Sequence, residues 1–112
     1  MWHSIGYIQV AAAGTPTAVS ATRVACQTVF FQQAPTNTGL LYVCDRANAN
    51  KTTGVGILAI IPAPTLNAGS VASALPYAAV TIPSAIGALS IDQFWVDADV
   101  SGNSCLVSYV RP

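Results

Sequence analysis

Hydrophobic and polar residues alternate with a period of two along several stretches of the chain. In the segment 24–33, VACQTVFFQQ, Val29 and Phe31 fall on one face, and Cys26 and Phe30 fall on the other. Alternation that is rich in Val, Thr and aromatic residues is typical of a β-strand, because successive side chains point to opposite sides of a sheet. No ten-residue stretch keeps helical spacing without Pro or Gly. The pattern therefore predicts an all-β protein.

Gly, Pro, Asn and Ser clusters separate the alternating segments at short intervals, as expected for tight turns between strands. Short antiparallel strands with such turns form sandwiches and jelly rolls. We therefore predict one domain, residues 1–112, with a jelly-roll-like antiparallel β-sandwich fold in which residues 1–12 are either the first strand or an N-terminal arm. About eight strands are expected, near residues 4–11, 17–22, 24–33, 40–44, 55–60, 76–82, 93–98 and 104–110.

The segment 92–111, DQFWVDADVSGNSCLVSYVR, contains a D-x-D-x-S-G pattern that begins at Asp97 and resembles the start of a calcium loop. An EF-hand loop needs several oxygen ligands and a bidentate Glu at its twelfth position. That position is Ser108, and the chain contains no Glu. Asp97 and Asp99 are therefore only a weak candidate for a cation site, and the sequence gives no other metal or cofactor site.

The same segment is fully explained as a β-hairpin between residues 93–98 and 104–110. In this interpretation Phe94, Val96 and Ala98 point inward, and Asp97 lies on the opposite face. The turn DVSGN would be closed by Asp99, which can accept hydrogen bonds from backbone amides two residues on, and by a glycine with positive φ, Gly102.

Charged residues make up 7% of the chain, against about 25% in ordinary soluble domains, and the formal net charge is zero. Charge keeps protein surfaces apart in solution, so we expect other subunits to cover much of this surface. The alternative is a small soluble monomer with a Ser, Thr, Asn and Gln surface. Four scattered basic residues exclude a nucleic-acid interface, and no apolar run approaches the ~20 residues of a membrane span.

Catalytic chemistry is not indicated. The single histidine, His3, has no acidic neighbour in sequence, and no nucleophile, phosphate-binding or dinucleotide motif occurs. Three cysteines, Cys26, Cys44 and Cys105, are odd in number and lack metal-ligand spacing, so we interpret them as buried free thiols, with one disulfide and a leftover thiol as the alternative. The sequence predicts a protein that is not an enzyme.

Large aromatic residues supply the candidate interface positions. Trp2 and Tyr7 lie in the N-terminal segment, which we expect to reach a neighbouring subunit or partner. Trp95 either packs in a core or subunit contact or, together with Tyr42, forms a platform for stacking a sugar ring. The second possibility makes a carbohydrate-binding module an alternative function.

Two long stretches resemble a group of small virion proteins of tailed bacteriophages. These are GTPTAVSATRVACQTVFFQQAPTNTGLLYVCDRANANKTTGVGILAIIPAPT and LSIDQFWVDADVSGNSCLVSYVR, which together span about residues 14–111. The matching positions are Asn37, Thr38 and Gly39 in an N-T-G element, Tyr42, Val43 and Asp45 in the next strand, and Ile91, Phe94, Trp95, Val96, Asp97, Gly102, Val107 and Tyr109 at the end. Cys44 replaces a glycine of that pattern, and LAIIPAPT replaces its L-x-P-G segment.

The resemblance implies a β-sandwich with a structural role and no catalytic residues. It implies a capsid cement (decoration) protein that binds the major capsid protein, or a neck or tail adaptor that docks fibres. As a cement protein, the chain would be a homo-oligomer, a trimer in preference to a dimer, located on the capsid surface of the virion after assembly in the host cytoplasm.

Overall fold

The structure, a computed structural model, describes residues 2–66, 72–74, 76–81 and 89–111, with residues 65–66, 72–74 and 81 described by their backbone alone. Of the predicted domain 1–112, Met1, residues 67–71, residue 75, residues 82–88 and Pro112 lie outside this description, and so does Ile82 at the end of the predicted strand 76–82. The strands are β1 (Trp2–Gln9), β2 (Thr17–Ala18), β3 (Ala25–Cys26), β4 (Thr28–Gln33), β5 (Leu41–Cys44), β6 (Ile57–Ile61), β7 (Thr65–Leu66), β8 (Ala72–Ala74), β9 (Tyr77–Thr81), β10 (Leu89–Ser90), β11 (Trp95–Ala98) and β12 (Ser104–Val110).

Eight of these strands form two four-stranded antiparallel sheets. Sheet I has the order β1-β12-β4-β9, and sheet II has the order β2-β11-β5-β6. Two short ribbons, β3–β10 and β7–β8, accompany them, and a 3₁₀ turn spans Ile91–Gln93. The all-β antiparallel fold predicted from the alternation is confirmed.

The hydrophobic core lies between the two sheets. Sheet I contributes Val29, Phe31 and Val107, and sheet II contributes Val43 and Val96, all fully buried. β4 and β12 bury alternate side chains, so sheet I has one inner face and one outer face, whereas all four residues of β5 in sheet II are buried. The edge strands β6 and β9 approach each other on one side of the sandwich.

The predicted hairpin between residues 93–98 and 104–110 is wrong. β11 pairs with β5 and β2 in sheet II, whereas β12 pairs with β1 and β4 in sheet I. The five residues between them, 99–103, cross from one sheet to the other. Both strands alternate correctly because they bury side chains in the same core from opposite sides, and alternation does not reveal which strand is the hydrogen-bonded neighbour.

The predicted strand at residues 24–33 is interrupted at Gln27. Cys26 lies in β3 and is buried in the same core as Val29 and Phe31 of β4, although simple alternation places it on the opposite face. The Gln27 amide donates to the Val110 carbonyl (2.7 Å) between the two strands. The break at Gln27 shifts the alternation by one residue, so Cys26 of β3 and Val29 of β4 can both point into the core.

The N-T-G element joins the sheets through a buried polar network. The Asn37 side chain accepts a hydrogen bond from the Ser104 amide (2.9 Å) and donates to the Ser104 carbonyl and to Gln33 Oε1. Asn103 Oδ1 accepts from the amides of Thr38 (3.1 Å) and Gly39 (3.2 Å). The element therefore holds the crossing segment 99–103 against the start of β5.

Candidate interaction surface

The outer face of sheet I carries a group of aromatic side chains. Trp2 of β1, Phe30 of β4 and Tyr77 of β9 lie on this face, and Tyr7 of β1 lies on it further along the strand. Trp2 is 56% exposed, Tyr7 59% and Tyr77 63%. Exposed rings of this size, concentrated on one face, are characteristic of interaction sites. We call this surface the aromatic face.

Strand register brings these residues together. The bulge between Ser4 and Gly6, where Gly6 adopts φ = 95°, shifts the alternation of β1 so that Tyr7 is opposite Leu106 and on the same side as Trp2. The remaining residues of the face are small, polar or apolar, and none carries a charge; they are Ser4, Gln9, Thr28, Gln32, Ala79, Ser104, Leu106, Ser108 and Val110.

The rings stand against one another. Phe30 and Tyr77 are nearly parallel (19°) with centroids 4.7 Å apart, and Trp2 meets Phe30 edge-on (78°) at 5.9 Å. A groove of about 270 Å³ lies between Trp2, Phe30, Gln32 and Ser108. Phe30 and Tyr77 use ring faces on each other, which leaves less flat ring surface for stacking a sugar and suits packing against the side chains of a protein.

The outer face of sheet II is covered differently. The segment 45–56 folds over it, and Ala49 packs against Tyr42 and Cys44 in a second, smaller apolar cluster. Trp95 is half-buried at the margin of this cluster. Trp95 therefore lies on the other sheet from Trp2 and Tyr7, so the three predicted interface residues do not form one surface.

Tyr42 is not available as a second ring beside Trp95. It is buried, its hydroxyl donates to Asp99 Oδ1 (3.0 Å), and the Lys51 ammonium lies 5.7 Å from its ring centroid. Burial, and then the hydrogen bond to Asp99, raise the pKa of Tyr42 above its usual value. Lys51 Nζ also donates to the Ala98 carbonyl (2.9 Å) and to Asp99 Oδ1 (3.2 Å), so these groups hold the covering segment on sheet II.

The two carboxylates of the D-x-D pattern have separate structural partners. Asp97 is 1% exposed, and the backbone of Gly14 lies against its carboxylate. Its Oδ1 accepts hydrogen bonds from the amides of Gly14 (2.9 Å) and Ala98 (2.7 Å), while Oδ2 has no partner among the described residues.

Asp99 Oδ1 accepts hydrogen bonds from the Tyr42 hydroxyl and the Lys51 ammonium, and among the described residues it accepts none from an amide two residues on, as the predicted turn requires. Gly102 has the predicted positive φ, 90°, and its amide donates to the Val10 carbonyl (2.8 Å). In the described part of the chain, no group of three or more His, Cys, Asp or Glu residues is placed to hold a metal ion.

All three cysteines are free and buried, as the sequence predicts. Burial raises the pKa of Cys105 to about 12, and burial together with the nearby carboxylates of Asp97 and Asp45 raises that of Cys44 to about 11. Burial also raises the pKa of Cys26. Neutral thiols of this kind are poor nucleophiles and behave as small apolar side chains.

His3 lies in β1 and stacks on Tyr109, with ring centroids 5.2 Å apart and an interplanar angle of 20°. Two of the four basic side chains are engaged in ion pairs: Arg46 with Asp45 (2.7 Å) and Lys51 with Asp99 (3.2 Å). The Arg46 guanidinium holds the pKa of Asp45 below its usual value.

Sequence reasoning found Trp2 and Tyr7 but missed Phe30 and Tyr77. The signal that could have found them is the pair Phe30–Phe31, since two consecutive large apolar residues in a strand must point to opposite faces. One of the two must therefore lie on an outer face. The pairing of β4 with β9 then places Tyr77 beside Phe30.

Comparison with known proteins gave no relative: no protein-family model, no curated protein and no solved structure matches the chain. Among the described residues, no helix has the length and apolar character needed to cross a bilayer.

Proposed function

We propose that the chain is a structural protein of a tailed-phage virion, and that it acts as a capsid cement protein by binding the major capsid protein. The observation that carries this proposal is the aromatic face: four large rings on an uncharged sheet surface that no other segment of the described chain covers. Such a face is suited to a permanent contact with protein, because aromatic anchors contribute most of the energy of protein interfaces.

In the proposed mechanism, each bound copy of the chain adds contacts that stabilise the assembled capsid lattice. A cement protein that binds only the assembled lattice stabilises that lattice in proportion to its affinity and free concentration. The rigid sandwich supplies a face whose shape is already formed, so little conformational entropy is lost on docking. No reaction step, cofactor or metal ion enters this proposal.

The size of the face has a consequence for its affinity. Four strands spaced ~4.8 Å apart and five to eight residues long give a face of roughly 400 Å², whereas a stable complex buries about 800 Å² on each partner. One copy of the face therefore binds weakly. Joining several copies in one particle multiplies the affinity for a repeated lattice, which supports a homo-oligomer on the capsid surface.

Particle stoichiometry tests the assignment. Densitometry of purified particles of the phage that encodes the chain should give a copy number close to that of the major capsid protein. A neck or tail adaptor would be present in tens of copies or fewer and would replace the cement proposal. Complete absence of the chain from purified particles would contradict both.

A further inference from the structure

Among the described residues, two grooves open on the aromatic face. The first, which we call the Trp2 groove, has a volume of about 270 Å³ and is lined by Trp2, Phe30, Gln32 and Ser108. The second, the Tyr7 groove, has a volume of about 360 Å³ and is lined by Tyr7, Ala34, Pro35, Thr36 and Ser104. Both exceed the ~150 Å³ of a cavity that holds a benzene ring, so each has room for one large apolar side chain.

Strand β12 passes under both grooves and sets the distance between them. Ser108 lines the Trp2 groove and Ser104 lines the Tyr7 groove, while Leu106 lies between them on the same face. Four residues of an antiparallel strand span about 14 Å. One partner segment that fills both grooves must therefore present two side chains on the same side, about 14 Å apart.

Among the common regular conformations, an extended strand meets this requirement best. In a strand, side chains four residues apart point the same way and lie about 14 Å apart. A helix brings a side chain back to the same side after seven residues, at about 10.5 Å, or after eleven, at about 16.5 Å. A polyproline helix does so after three or six residues, at about 9 or 19 Å.

The face also restricts the charge and the size of its partner. The described residues that line the two grooves carry no charge, so a charged anchor would lose its hydration without meeting an opposite charge. A face of roughly 400 Å² is about half of what a folded partner buries on each side, but an extended stretch of about eight residues matches the length of β1.

We infer that the aromatic face holds an extended, uncharged segment of the partner protein, which lies along β12 and places two apolar side chains, four residues apart, in the two grooves. The side chain midway between these anchors points at Leu106 and should be small. Because it takes its docking surface from the proposed function, this inference rests on that proposal, and it adds which part of the partner is bound.

Three peptide isomers with blocked ends test the spacing. Each contains two leucines among serines and threonines, and the leucines lie three, four or five residues apart. In an NMR titration of isotope-labelled protein, the indole N–H signal of Trp2 reports binding, and that of Trp95 on the other sheet is the internal control. The isomer with four-residue spacing should bind at least about fivefold more tightly than the other two, because it alone fills both grooves.

Tyr7→Ser removes one wall of the Tyr7 groove and leaves the Trp2 groove in place. This variant should bind the three isomers with equal affinity. The matched control is Val55→Ser, which removes an exposed side chain outside the aromatic face and should keep the preference of the wild type. Circular dichroism verifies folding, and the comparison of isomers on the wild type stands even if Tyr7→Ser does not fold.

Equal affinities of the three isomers for the wild type, tighter binding of an isomer with odd spacing, no binding by any of them, or a preference that persists in folded Tyr7→Ser would overturn the inference. So would a Trp95 signal that moves as far as that of Trp2. Capsid binding without a preference among the peptides would leave the proposed function standing alone, whereas the preference without capsid binding would remove only the capsid assignment.

Discussion

At the scale of single residues, Asn37 shows how a polar side chain can join two sheets. It is 5% exposed, and its amide group makes hydrogen bonds in both directions with the backbone of Ser104 while also donating to Gln33. Gln33 is itself buried and donates to the carbonyls of Ile61 (3.1 Å) and Pro62 (2.9 Å). A fully satisfied buried network of this kind stabilises one arrangement of the strands.

Replacing Asn37 by alanine should therefore destabilise the protein by about 2–4 kcal/mol, because it leaves buried backbone and side-chain groups without partners. Urea unfolding measures the change in free energy. The control is Asn48→Ala in the exposed part of the covering segment, which should stay within about 0.5 kcal/mol of the wild type. An Asn37→Ala variant as stable as the control would show that the network contributes nothing.

Residue identities also explain what the sequence could and could not predict about the interaction surface. The aromatic residues near the N-terminus indicated an interface. The sequence does not identify Phe30 as a surface residue, because Phe30 and Phe31 are equally apolar and alternation alone does not decide which of them faces the core. Packing against the other sheet decides between them: Phe31 contacts Phe94 across the core, with ring centroids 5.5 Å apart.

At the scale of elements, most strand positions follow from alternation and turn residues, but strand pairing does not. β11 and β12 are separated by only five residues and still lie in different sheets. A short loop that permits a hairpin also permits a crossing between layers, and here the hydrogen bonds of Gly102 to Val10 and of Asn103 to Thr38 and Gly39 fix the crossing. These bonds join residues distant in sequence, which local patterns do not encode.

The first element also differs from the arm that the sequence allowed. β1 pairs with β12 from Trp2 to Gln9, and Val10, directly after it, is fully buried. Deleting residues 1–10 would therefore remove an edge strand and part of the core along with any interface. Point variants of the exposed rings are the cleaner way to examine the aromatic face.

In the covering segment 45–56, the Lys51 ammonium donates to the Ala98 carbonyl of β11 and to Asp99. Lys51→Met keeps the aliphatic stem and removes the ammonium, so the segment should open more often. We expect amide hydrogen exchange at Asn50 and Gly54, whose N–H groups bond within this segment, to become about five- to tenfold faster, while exchange in β4 and β12 stays unchanged.

The matched control is Arg46→Met, because Arg46 pairs with its neighbour Asp45 at the surface, where an ion pair contributes little. Exchange in that variant should match the wild type. Equal exchange rates in the two variants would mean that Lys51 does not anchor the segment.

At the scale of the whole molecule, the scarcity of charge and the aromatic face lead to the same expectation. Two of the four carboxylates are engaged within the chain: Asp97 accepts from the Gly14 amide, and Asp99 accepts from Tyr42 and Lys51. The outer surface of sheet I therefore has little charge to repel other proteins, and its large rings remain exposed. Composition predicts a surface that other subunits cover, and the strand register shows where the exposed rings of sheet I lie.

The most direct test of the proposed cement function is the binding of the purified chain to capsids that lack it, from the phage proposed to encode it, measured by cosedimentation. The wild type should bind saturably. Trp2→Ser/Tyr77→Ser, which removes two exposed rings without touching the core, should bind at least about tenfold more weakly, because aromatic anchors dominate interface energies.

Val55→Ser/Val100→Ser, with two exposed aliphatic residues changed elsewhere, should bind within about twofold of the wild type. Equal unfolding midpoints for the three proteins would establish that only the surface has changed. Undiminished binding by the folded Trp2→Ser/Tyr77→Ser variant, or no binding by the wild type, would contradict the central claim that the aromatic face is the docking surface.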